Sequence, residues 1–297
     1  MRYGLALPQF GPHCDAAAIA SFVRSAEVLG YQSFWVGDRV LAPVDPSDLY
    51  IAGGTPERPY PPEFKKGLDP IVALTVAATA SSRARLGMST LNATWHNALL
   101  LARSLTSLDN VATGRLDCGF GIGWLRDEYT GTGVPWNDRG GRLDEILDVL
   151  DALWNHNPAE HHGPRFTIPQ SYFDLRPVQP GGPPVLLAGA APKALARIGR
   201  RAAGWLPVSG IPFDVLDQLW QLARRAADQA GRDSSALRRE LRVNPAPGQG
   251  PDHLAALAER AERSGMDGVF FDLQYTTGSP DEAIEVAAQL ASTIGFA

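Results

Sequence analysis

Asp38 and Arg39 directly follow the apolar run Ser33 to Gly37, so an acid and a permanent cation stand together at the end of a strand-like segment. A carboxylate there can take up or release a proton; a guanidinium stays protonated and acts only as donor and counter-charge. Two stretches of small residues offer a different chemistry. Gly121-Ile122-Gly123-Trp124 and Ala188-Gly189-Ala190-Ala191 let a flat group approach the main chain, and the second opens a helix-like run whose free N–H groups would suit a phosphate. Tight turning at strand exits is the plainer reading of those glycines, as a surface pair with Asp45 or Asp48 is of Arg39. His156, His161 and His162 lie irregularly around Asn157-Pro158, which reads as a polar loop and not as a metal site. Hydrolytic machinery is missing: there is no G-x-S-x-G elbow, no H-E-x-x-H, and no strand-end carboxylate pair with a histidine.

These positions fall at the ends of short apolar runs that alternate with amphipathic, helix-length runs along the whole chain. The strand candidates are Tyr3 to Leu7, Ser33 to Gly37, Ala84 to Ser89, Arg115 to Phe120, Pro184 to Ala188, Trp205 to Val208, Glu240 to Val243 and Gly268 to Asp272. Their partner helices are Asp15 to Leu29, Asp69 to about Ser81, His96 to Val111, Asp138 to Trp154, Pro192 to Ala203, Phe213 to Ala230, Asp252 to Ser264 and Pro280 to Ile294. In the first helix Ile19, Phe22, Val23 and Ala26 hold one face, with Asp15 as N-cap and Gly30 as the stop.

Eight such pairs predict an α/β fold, a (β/α)8 TIM barrel formed by residues 1–297 as one domain. The alternative, a doubly wound sheet, lacks its G-x-G-x-x-G turn; Gly119-Phe120-Gly121-Ile122-Gly123 has the wrong spacing. Long loops follow strands 2 and 4: Asp38 to Asp69, and Asn155 to Ser171 beyond the fourth helix. Such lengths suggest lids or interface segments. In a barrel the active site forms at the carboxyl ends of the strands. The positions to inspect are then Pro8 to Gly11 with Phe10, Asp38-Arg39, Ser89-Thr90, Gly121 to Trp124, Ala188 to Ala191, Pro207-Val208, Asn244 and Asp272.

Composition excludes several classes. Charge is nearly balanced, 27 basic against 32 acidic residues, so nothing marks a nucleic-acid partner. The arginine pairs Arg200/Arg201, Arg224/Arg225 and Arg238/Arg239 read as solvated faces. No stretch reaches the ~18 apolar residues of a membrane helix, the start does not read as a signal peptide, and Cys14 and Cys118 suit a reducing compartment. A cytoplasmic protein is expected, with no membrane partner.

The run Leu86 to Leu91, then Asn97, Leu101-Ala102, Leu108-Asp109, Gly114-Arg115-Leu116, and Gly119 to Trp124 with Glu128, resembles the central signature of the bacterial luciferase-like flavin and deazaflavin oxidoreductases. Gly4 to Gly11, Phe34 to Asp38, Gly133-Val134-Pro135, Arg139-Gly140, Arg176 to Pro180 and Gly204 to Pro207 extend the likeness over nearly the whole chain. Within that superfamily it is most similar to the probable coenzyme F420-dependent oxidoreductases. The resemblance implies a barrel that lays a cofactor ring across the strand ends, and a homodimer. It implies that Ser89-Thr90 form a bulge with a non-proline cis peptide against the ring, with Gly121, Ile122, Gly123 and Trp124 beside the ring and side arm. Ala188, Gly189, Ala190, Ala191, Pro207 and Val208 would hold the phosphate-bearing tail. Asp38 would lie near the ring's polar edge.

Two departures bear on mechanism. Many deazaflavin members carry His after this Asp, and here the position is Arg39, which cannot take a substrate proton but could stabilise an anionic substrate or reduced ring. Trp124 stands where the family's sugar-phosphate dehydrogenases place a catalytic Glu, which argues against a sugar phosphate. Three readings follow, with Asp38 and Arg39 as the catalytic candidates in the first. It is an oxidoreductase moving a hydride between coenzyme F420 and a small, largely apolar organic substrate. The second is an FMN-dependent monooxygenase using oxygen, and the third a cofactor-binding barrel without chemistry.

Overall fold

The computed structural model describes residues 1–296. The chain runs β1 (Arg2–Ala6), α1 (Ala16–Val28), β2 (Ser33–Val36), α2 (Pro70–Ala80), β3 (Arg85–Met88), β4 (Leu91–Asn92), α3 (Ala98–Val111), β5 (Leu116–Gly121), α4 (Arg126–Thr132) and α5 (Arg139–Asn155). It continues through β6 (Ala159–His162), β7 (Thr167–Ser171), β8 (Val185–Ala188), α6 (Pro192–Arg201), β9 (Gly204–Leu206), α7 (Phe213–Gln229), β10 (Arg238–Val243), α8 (Pro251–Arg263), β11 (Gly268–Phe271) and α9 (Pro280–Ile294).

Strands β1, β2, β3, β5, β8, β9, β10 and β11 pair in parallel, each with the next, and β11 returns to β1. The sheet is therefore a closed eight-stranded barrel, as the eight βα pairs predict. Between the strands and the helices lies the main core, where Ile19, Phe22, Val23 and Ala26 of α1 are all buried. A second, small core of Trp35, Leu186, Leu206 and Phe270 fills the barrel itself, with Trp35 stacked on Phe270 at 4.7 Å between ring centroids. Gly87 makes room for it: a Cβ there would stand 2.3 Å from the Trp35 ring.

At the starts of the strands the barrel is closed by charge. Arg85 of β3 meets Asp117 of β5 at 2.7 Å, Arg238 of β10 also bonds Asp117, and Arg2 of β1 bonds Glu240. Arg238 and Arg239 are accordingly not a solvated face. They open β10, two residues before the strand start expected from the apolar run, and Arg239 pairs with Asp217 at 2.7 Å. An alternating strand puts charged side chains inward without breaking its outer apolar face, which hides them from a search for apolar runs.

The two long connections differ. Asp38 to Asp69 carries only a short 3₁₀ turn, Pro62–Lys65, and crosses the carboxyl ends of the strands. Asn155 to Ser171 holds the antiparallel hairpin β6–β7, folded back along α5, where Arg165 and Phe166 bond Glu145. None of its residues reaches the strand-end cavity. His161 faces Glu145 at 3.5 Å and His162 faces Glu160 at 3.7 Å.

Candidate active site

A cavity of about 340 Å³ opens at the carboxyl ends of the strands. Gly37, Asp38 and Arg39 enter it after β2, Ser89 and Thr90 after β3, Ala188 to Ala190 from β8, and Trp205 to Val208 from β9. Arg242 and Asn244 close the wall from β10, while Tyr50, Ile51 and Phe64 of the long segment join Trp124 and Phe10 around the rim. Of the residues singled out from sequence, Phe10, Asp38, Arg39, Ser89, Thr90, Trp124, Ala188, Gly189, Ala190, Pro207 and Val208 line this one space.

Gly11, Gly121, Ile122, Gly123 and Ala191 do not line it. After β3 the chain bulges at Ser89-Thr90, whose peptide is cis, and pairs again with β5 as β4, setting Asn92 opposite Gly121. Thr90 thereby covers Gly121: a Cβ on the glycine would lie 2.4 Å from the Thr90 hydroxyl. Gly123 packs against Trp95, the Ile122 carbonyl accepts from the Tyr129 hydroxyl, and the Gly11 N–H donates to Lys66 O at 2.8 Å. Ala191 is the N-cap of α6, and no side chain caps that helix. A Cβ on Gly189 would come within 2.8 Å of Ala194, so a side chain at this position would crowd the start of α6.

Asp38 is the one carboxylate among the lining residues. Its Oδ2 accepts the Asn92 N–H at 2.9 Å, which fixes the carboxyl against the bulge. Burial pushes its pKa up to about 6, against the opposing pull of the Asn92 hydrogen bond and Arg39; Asp69 adds to the rise.

Arg39 is neither a free cation nor paired with Asp45 or Asp48. Its Nη1 donates to Glu128 Oε2 at 2.8 Å, its Nε to the Asp38 carbonyl at 2.8 Å, and the rings of Trp124 and Phe64 lie 5.2 and 5.4 Å from its Cζ. Asp48 is taken by Arg126 at 3.0 Å. Glu128 is fully buried and also accepts the Val40 N–H at 3.2 Å. Burial outweighs the attraction of Arg39 and lifts the Glu128 pKa to about 7. The sequence signature contained Glu128, but its partner lies 89 residues away and only the fold joins them.

Arg242 was not anticipated. It bonds Asp272, gives Nε to Asn244 Oδ1 at 2.9 Å, and donates Nη1 to the Ser89 carbonyl, holding the bulge from below. The available signal was alternation: Arg238, Glu240 and Arg242 occupy every second position of β10 and so share one face of the strand. The Asp272 carboxylate keeps the Arg242 proton firmly bound despite burial.

Comparison with known proteins agrees with the barrel fold. A profile of the luciferase-like monooxygenase family matches residues 2–249. An uncharacterized protein of Mycobacterium tuberculosis is 32% identical over 289 residues, covering 97% of this chain and 95% of that one. A phthiodiolone/phenolphthiodiolone dimycocerosates ketoreductase of the same species is 29% identical over 220 residues, 73% of this chain and 58% of that enzyme. Among solved structures, monooxygenase RslO1 from Streptomyces bottropensis superposes with a TM-score of 0.80 at 19% identity, covering 99% of this chain and 98% of that one. An F420-dependent secondary alcohol dehydrogenase, in complex with an F420-acetone adduct, gives a TM-score of 0.77 at 15% identity over the same shares. At these identities the structural likenesses establish the fold.

Proposed function

Because the chain belongs to the luciferase-like monooxygenase family, we propose that it is an oxidoreductase that passes a hydride between coenzyme F420 and a small, largely apolar carbonyl compound or secondary alcohol. The residues present fit such a coenzyme. Gly37, Ala188, Gly189, Ala190 and Pro207 leave a wall of backbone and small side chains, against which a flat ring can lie. The uncapped start of α6, with Lys193 in its first turn, suits a phosphate. Bound there, the coenzyme would supply a hydride donor or acceptor at C5 of its ring.

The observation that carries this reading is Asp38, a buried cavity carboxyl whose pKa lies near 6. Hydride addition to a carbonyl needs a proton on oxygen, and the reverse reaction needs a base; one such group serves both directions. Arg39 holds the backbone of Asp38, Arg242 holds the Ser89 carbonyl, and Tyr50, Ile51, Phe64 and Trp124 screen the space from water. The ketoreductase and alcohol dehydrogenase named above support the substrate class.

Titrating the purified protein with oxidised and reduced F420 and with FMN, followed by fluorescence and then by turnover of ketones and secondary alcohols, tests the proposal. F420 binding with exchange between ketone and alcohol is expected. Binding of FMN alone, with oxygen consumed on reduction, would replace it by the second reading, a flavin monooxygenase, which the family's description and the likeness to RslO1 favour.

A further inference from the structure

Two guanidiniums line the cavity, and each is paired with a buried carboxylate. Arg39 is bound to Glu128, and Arg242 to Asp272, with further Arg242 N–H groups engaged by Ser89 and Asn244. Asp38 adds a third carboxylate, and all three acids are buried. Lys65 and Lys66, on the segment that roofs the cavity, are exposed and outside its lining. The fixed charge of this wall is therefore not positive, in a partly enclosed site where charges act strongly. Beside Arg39, away from the α6 start, an anionic ligand would lose its hydration without finding an unpaired cation.

We propose that the part of the cavity beside Arg39, among Tyr50, Phe64 and Trp124, selects uncharged ligands and rejects anions, and that Glu128 sets this preference. It rests on the reading that this cavity takes the substrate, whichever cofactor accompanies it. Glu128 does not line the cavity; it acts through Arg39 as a positioning residue and counter-charge. Without that charge, Arg39 would keep the Asp38 carbonyl, the aromatic rings and at most a neutral acceptor at position 128, and would present a net positive charge to the cavity. Arg242 is a weaker candidate for such a switch, since Asn244 and the Ser89 carbonyl would still hold it.

The other titratable and charged groups in electrostatic contact with the cluster are Asp69 beside Asp38 and His96, Tyr129 with Arg139 and Arg142 beside Glu128, Tyr50 and Tyr275 beside Arg242, and His13 beside Asp272. Asp38 and Glu128 both take up protons as the pH falls, so anions should become better tolerated on the acid side.

Benzoate, benzamide and benzamidine share a shape and differ in charge, and their affinities for the cofactor-free full-length protein can be read by calorimetry. In the unmodified protein at about pH 8, benzoate should bind at least about tenfold more weakly than benzamide, and Glu128→Gln should remove that gap. Benzoate binding as tightly as benzamide, a ratio unchanged in Glu128→Gln, or no binding by any of the three would overturn the proposal. If Glu128→Gln does not fold, the unmodified protein still decides. Its benzoate-to-benzamide affinity ratio should rise severalfold from about pH 8.5 to about pH 6, where benzoate stays ionised, and a flat ratio overturns the proposal. Because no turnover is measured, failure of the F420 reading leaves this result legible, and the reverse.

Discussion

Asp38 and Arg39 are neighbours in sequence with separate tasks. If the proposed function holds, Asp38→Asn, which keeps an oxygen to accept the Asn92 N–H but removes the proton, should lower ketone reduction by about 10²–10⁴-fold in kcat while coenzyme affinity, read by fluorescence, changes little. On the same proposal, reduction by the unaltered protein uses protonated Asp38 and should decline as the pH rises through about 6, whereas alcohol oxidation should rise through the same region. A common direction for both limbs would remove Asp38 from the proton-transfer role. For Arg39 the main effect is on stability. Arg39→Ala leaves Glu128 buried without its cation, a loss of about 3–5 kcal/mol by urea melts at about pH 8. Glu128 already has a raised pKa, so its folded form is favoured when protonated; the Arg39→Ala deficit should shrink toward about pH 5.5. A deficit independent of pH would show that lost packing against Phe64 and Trp124 dominates.

Helix α2 links the long segment to the barrel through one residue. Asp69 caps it by accepting the N–H groups of Ile71 and Val72 at 2.8 and 3.0 Å, and its charge also raises the Asp38 pKa. Asp69→Asn should preserve the cap and shift the activity limb toward lower pH, while Asp69→Ala should give the same shift and lose about 1 kcal/mol of stability. Strand β3 carries a stricter demand. A methyl group at Gly87 meets the Trp35 ring at 2.3 Å, and the buried stack of Trp35 on Phe270 leaves little space to yield. Gly87→Ala should cost about 1–3 kcal/mol or more, seen as a lower melting temperature, and Gly87→Ala with Trp35→Phe should recover part of it.

The whole molecule closes its cavity by tying the long segment to α4. Ser47 donates N–H and hydroxyl to Asp127 at 2.8 and 3.0 Å, and Asp48 accepts the Arg126 N–H at 2.9 Å. Asp48→Ala should speed hydrogen exchange between residues 40 and 60 and raise KM more than it lowers kcat, because the cavity roof loosens while Asp38 stays in place. Equal exchange in both proteins would show that the aromatic contacts of Tyr50 with Phe64 and Trp124 suffice to hold the roof.

The barrel was legible in the sequence because each strand and helix announces itself by local periodicity, and eight repeats of one unit leave few ways to close. Asp38, Ser89, Gly121 and Gly189 are expected on one cavity for the same reason, that the ends of parallel strands share one side; three of them line it, and Gly121 lies beneath Thr90. What sequence could not give were pairings between distant residues. Glu128 with Arg39, Arg242 with the Ser89 carbonyl, and Thr90 over Gly121 each join segments whose spacing carries no period. The α4 turn and the β6–β7 hairpin were missed because they are short and lean on other elements for their burial. The sequence by itself determined that the carboxyl ends of the strands share one face of the barrel and that an acid stands there. Only the tertiary structure decided that the adjacent arginine is neutralised, since the charge of a site depends on what is buried beside it and not on what precedes it in the chain.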